Sequence, residues 1–297
     1  MRICRKLYCN AVNDPAKQRR SLAIVMQQQQ KTTGARKKNG NTTISDLASI
    51  ALFLAAFGAA WQVVYLAGFF PEQSLPSPIS VAQSFADLSS AGSLGAGVAV
   101  TMGRLAAGFA ISVAIGGAVG LAMVRFKDFG KTMSSFSVGL QSFPSIAWVP
   151  FTILLIGFND FGILFVMVIS SVFSVMMSTY SGIRNIPPIY MRAARNMGAD
   201  GFVLFRHVML PAATPTLIIG LRQAWSFAWH ALVGAEILIS LVGLGHILSV
   251  GRELGNMGWI MATMIVIFVI GMVVDRVIFF KLEERIRSRW GLNQHAD

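Results

Sequence analysis

Six apolar stretches recur along this chain, each about as long as a bilayer is thick, and no other feature restricts its fold as much. They cover residues 50–70, 94–124, 133–156, 161–180, 214–239 and 259–280. A helix rises about 1.5 Å per residue, so ~20 residues cross a hydrocarbon core of ~30 Å. Lipid offers no hydrogen bonds to a backbone, so an apolar run of this length must satisfy itself as a helix. Composition agrees: 54% of the residues are hydrophobic, 13% are charged and the mean hydropathy is +0.61. A soluble domain carries about 25% charged residues. The expected class is therefore all-α, a polytopic membrane protein with six transmembrane helices.

The net charge of +12 does not point to nucleic acid, because the basic residues lie between the apolar runs rather than on one patch. With the N-terminus in the cytoplasm, the cytoplasmic segments hold 22 of the 25 Lys and Arg residues, and the outer loops hold only Arg252. That bias predicts that both termini are cytoplasmic, in a multi-pass inner (plasma) membrane protein. Residues 1–45 are polar and basic, include Gln27, Gln28, Gln29 and Gln30, and read as a disordered tail. Met26 is an alternative start that would keep every span and the basic Arg36, Lys37 and Lys38. Cys4 and Cys9 have no histidine near them, so they make neither a zinc site nor a disulfide framework. Residues 46–93 supply the first span and an outer interfacial helix that starts at Ser77-Pro78, with Val81, Phe85 and Leu88 on one face. Residues 94–280 form the core of five spans, and 281–297 a cytoplasmic tail. In the second span Gly116, Gly117 and Gly120 let another helix approach closely. Pro144 and Pro150 interrupt the third.

Between the fourth and fifth spans, residues 184–213 read as a helical hairpin. Pro187-Pro188 opens a first helix, and Gly198 ends it in a left-handed turn. Asp200 then N-caps a second helix running to Val208, which Pro211 stops. Phe202, Val203, Phe205 and Val208 give it an apolar surface. A DNA-reading helix needs a soluble domain and base-reading polar groups, which a short helix tied between two spans lacks. A plain connecting loop and a docking hairpin for a soluble partner are the remaining readings.

Ala193-Ala194, Gly198 and then Val208-Met209-Leu210-Pro211 have the spacing of a known loop, and here the chain resembles the permeases of ABC importers. Their loop reads E-A-A, three residues, G, nine residues, I-x-L-P. Val208 stands for the usual Ile, and Arg192 for the usual Glu. Further matches are Thr101-Met102-Gly103-Arg104 with Gly108-Phe109, and the segment from Phe143 through Pro144 and Trp148 to Pro150. Ala235-Glu236, Gly243-Leu244-Gly245, Asp275-Arg276 and Trp290 complete the set. Together they resemble the nitrate, sulfonate and taurine branch over residues 75–290. The resemblance implies a type I ABC importer permease fold and a homodimer with a second permease copy. It also implies two ATP-binding cassette subunits docked on Arg192, Ala193, Ala194, Gly198, Phe202, Phe205, Val208, Leu210 and Pro211, and an extracytoplasmic solute-binding protein. No cofactor belongs to this chain; ATP and magnesium belong to the partner subunit. The implied cargo is a small anion, sulfonate-like before nitrate, moved by alternating access.

The residues agree with a division of labour. The chain has no G-x-x-x-x-G-K-[ST] phosphate cradle, no H-E-x-x-H pair and no G-x-S-x-G elbow, which argues against an ATPase or another membrane enzyme. A transporter working alone would have no use for a docking hairpin. Ionisable residues within the spans are functional suspects. Arg104 and Glu236 either pair or line the pathway. On the fifth span Arg222, Trp225, Ser226, Trp229, Val233 and Glu236 share a helical face, which either packs or lines the path, while His230 falls just off it. Trp148 joins the candidate pathway through the resemblance.

Overall fold

A computed structural model describes residues 42–71 and 74–289, so the basic tail, Cys4, Cys9, Met26 and Trp290 lie outside the described residues. Every regular element among the described residues is helical, as the apolar runs require. The chain divides into two compact units between Val63 and Val64. The first unit is represented by helix α1 (Thr42–Leu66), which exposes Leu52, Phe53 and Phe57. It starts earlier than the apolar run and ends before Gly68, which has a φ of +66°.

The second unit opens with α2 (Pro78–Ser90), where Pro78 occupies the first turn and the Ser77 hydroxyl accepts the Ser80 amide at 3.1 Å. Its buried face is Val81, Ser84 and Leu88; Phe85 is exposed, so the face runs one position off the expected one. Then come α3 (Ser93–Arg125), α4 (Lys127–Gln141), α5 (Ser145–Leu155) and α6 (Asp160–Arg184). They are followed by α7 (Pro188–Asn196), α8 (Gly201–Ile239), α9 (Leu244–Glu253) and α10 (Met257–Ile286).

Four of these, α3, α6, α8 and α10, are long and apolar enough to cross a membrane. The third sequence-defined span is not one straight helix. α4 and α5 meet at 88°, which makes a fifth crossing if the bent pair is counted as one. Pro144 sits in the break with an extended ψ of 122°. Pro150 interrupts nothing, because it falls in the first turn after Trp148, where a missing amide costs no helical bond. α9 was not legible as an element: ten residues after Gly243 fold back on α10 between two spans.

α6 is the centre, packed lengthwise against α3 on one side and α8 on the other. Small residues permit this. Gly108, Ser112, Gly116 and Gly120, four apart, face α6 from α3. A Cβ added at Gly116 would lie 2.7 Å from the Val172 carbonyl oxygen, and one at Gly120 would lie 2.6 Å from Thr179 Cβ. Gly117, expected in the same role, has open space around its Cα, since a residue one step along the helix points some 100° away. The Ser171 hydroxyl donates to Ser112 Oγ at 2.8 Å, a hydrogen bond between helices of the kind that joins spans without help from water. On the other side, Gly220 of α8 admits Ser178 of α6.

Candidate functional site

Three groupings of polar or exposed side chains stand out, and they divide the sequence-derived candidates among them.

The first lies at the junction of α3, α6 and α8. Glu236 has no solvent exposure. The Thr101 hydroxyl faces both its oxygens, at 3.0 and 2.9 Å, Arg104 Nη1 donates to Oε1 at 2.9 Å, and the Gly245 amide donates to Oε2 at 3.1 Å. Arg104 also donates through Nε to Asp160 at 2.8 Å and through Nη1 to the Val242 carbonyl at 2.6 Å. The Leu244 amide donates to Thr101 Oγ1 at 3.0 Å. Two of these donors exist because glycine allows the backbone near: a Cβ at Gly245 would stand 2.5 Å from Glu236 Cβ, and one at Gly243 2.6 Å from the Glu236 carboxylate. No buried side-chain nitrogen or oxygen among the described residues lacks a partner. Arg104 and Glu236 are therefore a pair within a satisfied network that ties three spans and the start of α9 together. In the sequence Thr101 stands out only as part of a motif, not as a partner of Glu236, and Asp160 does not stand out at all. Thr101 was within reach, since it lies one helical turn before Arg104 on the same face. Asp160, at the start of α6, carried no local signal.

The second grouping is along α8. Trp225, Ser226, Trp229 and Val233 line one cavity of about 530 Å³ between α8 and α10, with Met264, Phe268 and Asp275 on the opposite wall. His230, which the helical wheel sets aside, lines it too and is exposed, one ring nitrogen 2.7 Å from the Ser226 carbonyl. Trp225 stacks edge-on with Phe109 at 5.4 Å, and Trp229 is buried. Arg222 is held at one end by Asp275, with contacts of 2.7 and 2.6 Å, and by Glu283 at 3.2 Å. The shared face thus splits: its aromatic middle borders a cavity, and its charged ends are locked into separate ion pairs. Trp148 is elsewhere, half-buried at the α4–α5 bend with Phe143 at 5.5 Å, and it borders a smaller cavity of about 200 Å³ with Ser170 and Phe227.

The third grouping is the hairpin. α7 ends at Asn196, and Gly198 turns the chain with a φ of +82°, its amide donating to the Arg195 carbonyl at 2.9 Å. The Ala199 amide reaches back to Ala194 at 3.0 Å, a bond typical of helix C-termini. Asp200 occupies the N-cap position of α8 but its side chain makes no cap bond. Pro211 does not stop the second helix. A π-type turn over Phe205–Met209, with the Leu210 amide reaching back to the Phe205 carbonyl, widens the helix where the proline ring would strike the preceding turn. The hairpin arm and the fifth span are consequently one helix of 39 residues. Ala194 and Leu204 are buried, and Phe205 packs toward Ile183, Ile186 and Ala213. Phe202 is 74% and Met197 81% exposed, with Arg192, Ala193 and Val203 exposed as well. Val208 and Pro211 are half-buried, and Leu210 is 39% exposed.

A chain of the MetNI methionine ABC transporter in an inward facing conformation has the same fold at 20% identity, covering 66% of this chain and 95% of that one with a TM-score of 0.53. SsuC of Escherichia coli (strain K12), named as an aliphatic sulfonates transport permease protein, is 30% identical over 80% of this chain and 89% of its own. The nitrate import permease protein NrtB of Synechocystis is 25% identical, with 82% and 92% covered. The family described as the binding-protein-dependent transport system inner membrane component matches residues 108–288, more than half of the sequence and all three groupings but for Thr101 and Arg104. The chain belongs to that family.

Proposed function

We propose that the chain pairs with a second copy to form the translocation path of an ATP-driven importer, with both its termini in the cytoplasm. Two separate ATP-binding cassette subunits, carrying ATP and magnesium, dock on the α7–α8 hairpin, and an extracytoplasmic solute-binding protein delivers the cargo. The observation that carries this is the hairpin itself. Phe202 and Met197 are exposed, and the arm that bears Phe202 is continuous with a membrane span. An apolar tip on a rigid stalk suits a partner that must both bind and be pushed. Arg192 is also exposed there and offers that partner a positive charge where the family has Glu. Trp225, Ser226 and Trp229 border the path, Trp148 borders it at the α4–α5 bend, and the pairs of Arg104 with Glu236 and Arg222 with Asp275 hold its walls.

The cargo is a small anion, an alkylsulfonate before nitrate. Support comes from the similarity to SsuC, an aliphatic sulfonates permease, and NrtB, a nitrate permease, and from the mixed aromatic and polar lining at Trp225, Ser226, Trp229 and His230. Ligand screening against the solute-binding protein that delivers to this permease tests that choice.

The docking role is tested at Gly198. A Cβ there meets nothing within 4 Å, so Gly198→Val acts through the left-handed backbone alone, at a cost of about 1 kcal/mol or more. The variant should reach the membrane at wild-type abundance and lose both ATPase co-purification and transport. An abundant variant that still holds its ATPase and transports would remove the hairpin from the coupling role.

A further inference from the structure

A separate cavity opens where α3 ends, α4 begins and α6 ends. It measures about 300 Å³ and is lined by Met123, Val124, Lys127, Lys131, Tyr180 and Arg184. Its composition is layered. Met123 and Tyr180 belong to a buried apolar cluster that also draws in Val124, so the floor is greasy. The rim is cationic: Lys127 and Lys131 lie one helical turn apart on α4, and Arg184 closes the opposite side from the last turn of α6. Arg184 is held there, donating to the Tyr180 hydroxyl with its guanidinium 5.4 Å from the ring centroid. None of the three cations has a carboxylate within ion-pairing distance among the described residues, whereas Arg104 and Arg222 each have two.

Positive-inside topology accounts for cations at this end of the spans, but it does not require three of them to converge on one apolar-floored cavity. Charge at the helix C-termini accounts for Arg184 but not for Lys127, which sits in the first turn of α4 where cations are disfavoured, nor for Lys131 one turn on; Asp128, in that first turn, is within ion-pairing distance of none of the three. Asp128 alone leaves the three-cation rim with a net positive charge that a bound anion would offset.

We infer that this cavity binds the phosphate of an anionic phospholipid at the level of the inner leaflet. The three cations surround the phosphate, and Met123, Val124 and the Tyr180 ring take the glycerol and first acyl carbons. Basic recesses between spans on the cytoplasmic side have the chemistry for such headgroups. A free phosphate would use the same rim and leave the floor empty, so the apolar floor favours the lipid. The inference rests on the proposed orientation, in which the hairpin end of α6 faces the cytoplasm.

The test uses the permease purified together with its ATPase, compared with K127Q/K131Q/R184Q and with K131Q alone. Lys131 is exposed, so the single variant leaves the fold unburdened. Native mass spectrometry counts cardiolipin and phosphatidylcholine retained per permease copy, with and without inorganic phosphate. The triple variant should hold cardiolipin about tenfold or more weakly and K131Q a smaller factor more weakly, with phosphatidylcholine unchanged. Cardiolipin retention that phosphate does not displace assigns the site to lipid. Saturable phosphate binding without lipid preference, lost in the variants, overturns the lipid and leaves a free-phosphate site. Equal cardiolipin retention in wild type and both variants overturns the inference. ATPase co-purification in the same samples reports on the importer reading separately, so a wild-type complex that keeps its ATPase but shows no cardiolipin preference refutes the lipid site alone.

Discussion

Removing the Arg104 side chain by Arg104→Met should destabilise the permease severely, and adding Glu236→Gln should then restore stability. The wild-type carboxylate of Glu236 has no exposure and loses its single counter-ion, 2.9 Å away, in the first variant. The Thr101 hydroxyl and the Gly245 amide remain, but neither carries charge. Stranding a buried charge in this way costs about 3–5 kcal/mol. Arg104 also contacts Asp160, but that side chain is 63% exposed, so its loss contributes at most about 1 kcal/mol. Most of the damage should therefore trace to the bare carboxylate. Glu236→Gln neutralises it with nearly the same shape and keeps an oxygen for Thr101 and Gly245. On its own, Glu236→Gln should cost about 1–3 kcal/mol, because Arg104 keeps Asp160 and the Val242 carbonyl. The assay is thermal unfolding of the purified protein in detergent. The midpoints should rank wild type, then Glu236→Gln, then the double variant, then Arg104→Met. A double variant less stable than Arg104→Met, by the full cost of Glu236→Gln, would mean that the two residues act independently.

Gly116→Leu should cost more than Gly117→Leu by about 2 kcal/mol or more in the same assay, because only the first drives a side chain into the Val172 carbonyl. Arg222→Met should leave insertion unchanged, remove one tie between α8 and the end of α10, and raise protease sensitivity beyond Lys281, with Asp275→Asn giving a weaker version of the same cleavage pattern.

Four of the spans and the helical hairpin were legible in the sequence for one reason: both follow from local pattern. Hydrophobic length reports a helix in lipid whatever its neighbours, and the spacing of Ala193, Ala194, Gly198 and Pro211 is a property of one segment. What escaped depends on distance in space. Nothing near Asp160 in the chain announces Arg104, which arrives from 56 positions away. Pro211 read as a terminator because a proline ring clashes with a regular α-helical turn, and the wider turn that accommodates it leaves no mark in the composition. The bend between α4 and α5 was half legible. Pro144 and Pro150 look alike as letters, and only their placement relative to a helix start separates a break from an ordinary first turn. Phe85 and Gly117 failed by one step each, since a 100° rotation per residue turns a small error in register into the opposite face.

The unbroken helix from Gly201 to Ile239 has a mechanical consequence. At about 1.5 Å per residue it is a rod of ~58 Å. One tip carries Phe202, and the far end carries Glu236, fastened to two other spans and to α9. A rod clamped at one end cannot slide along its axis when its tip is displaced; it swings about the clamp. The displacement from a sideways shove is then largest at the tip itself, falls off through Arg222 and Trp225, and is smallest near Glu236. The cavity beside Trp225 and Trp229 lies between tip and clamp, so any such swing of the rod would change its width while the Glu236 anchorage stays put.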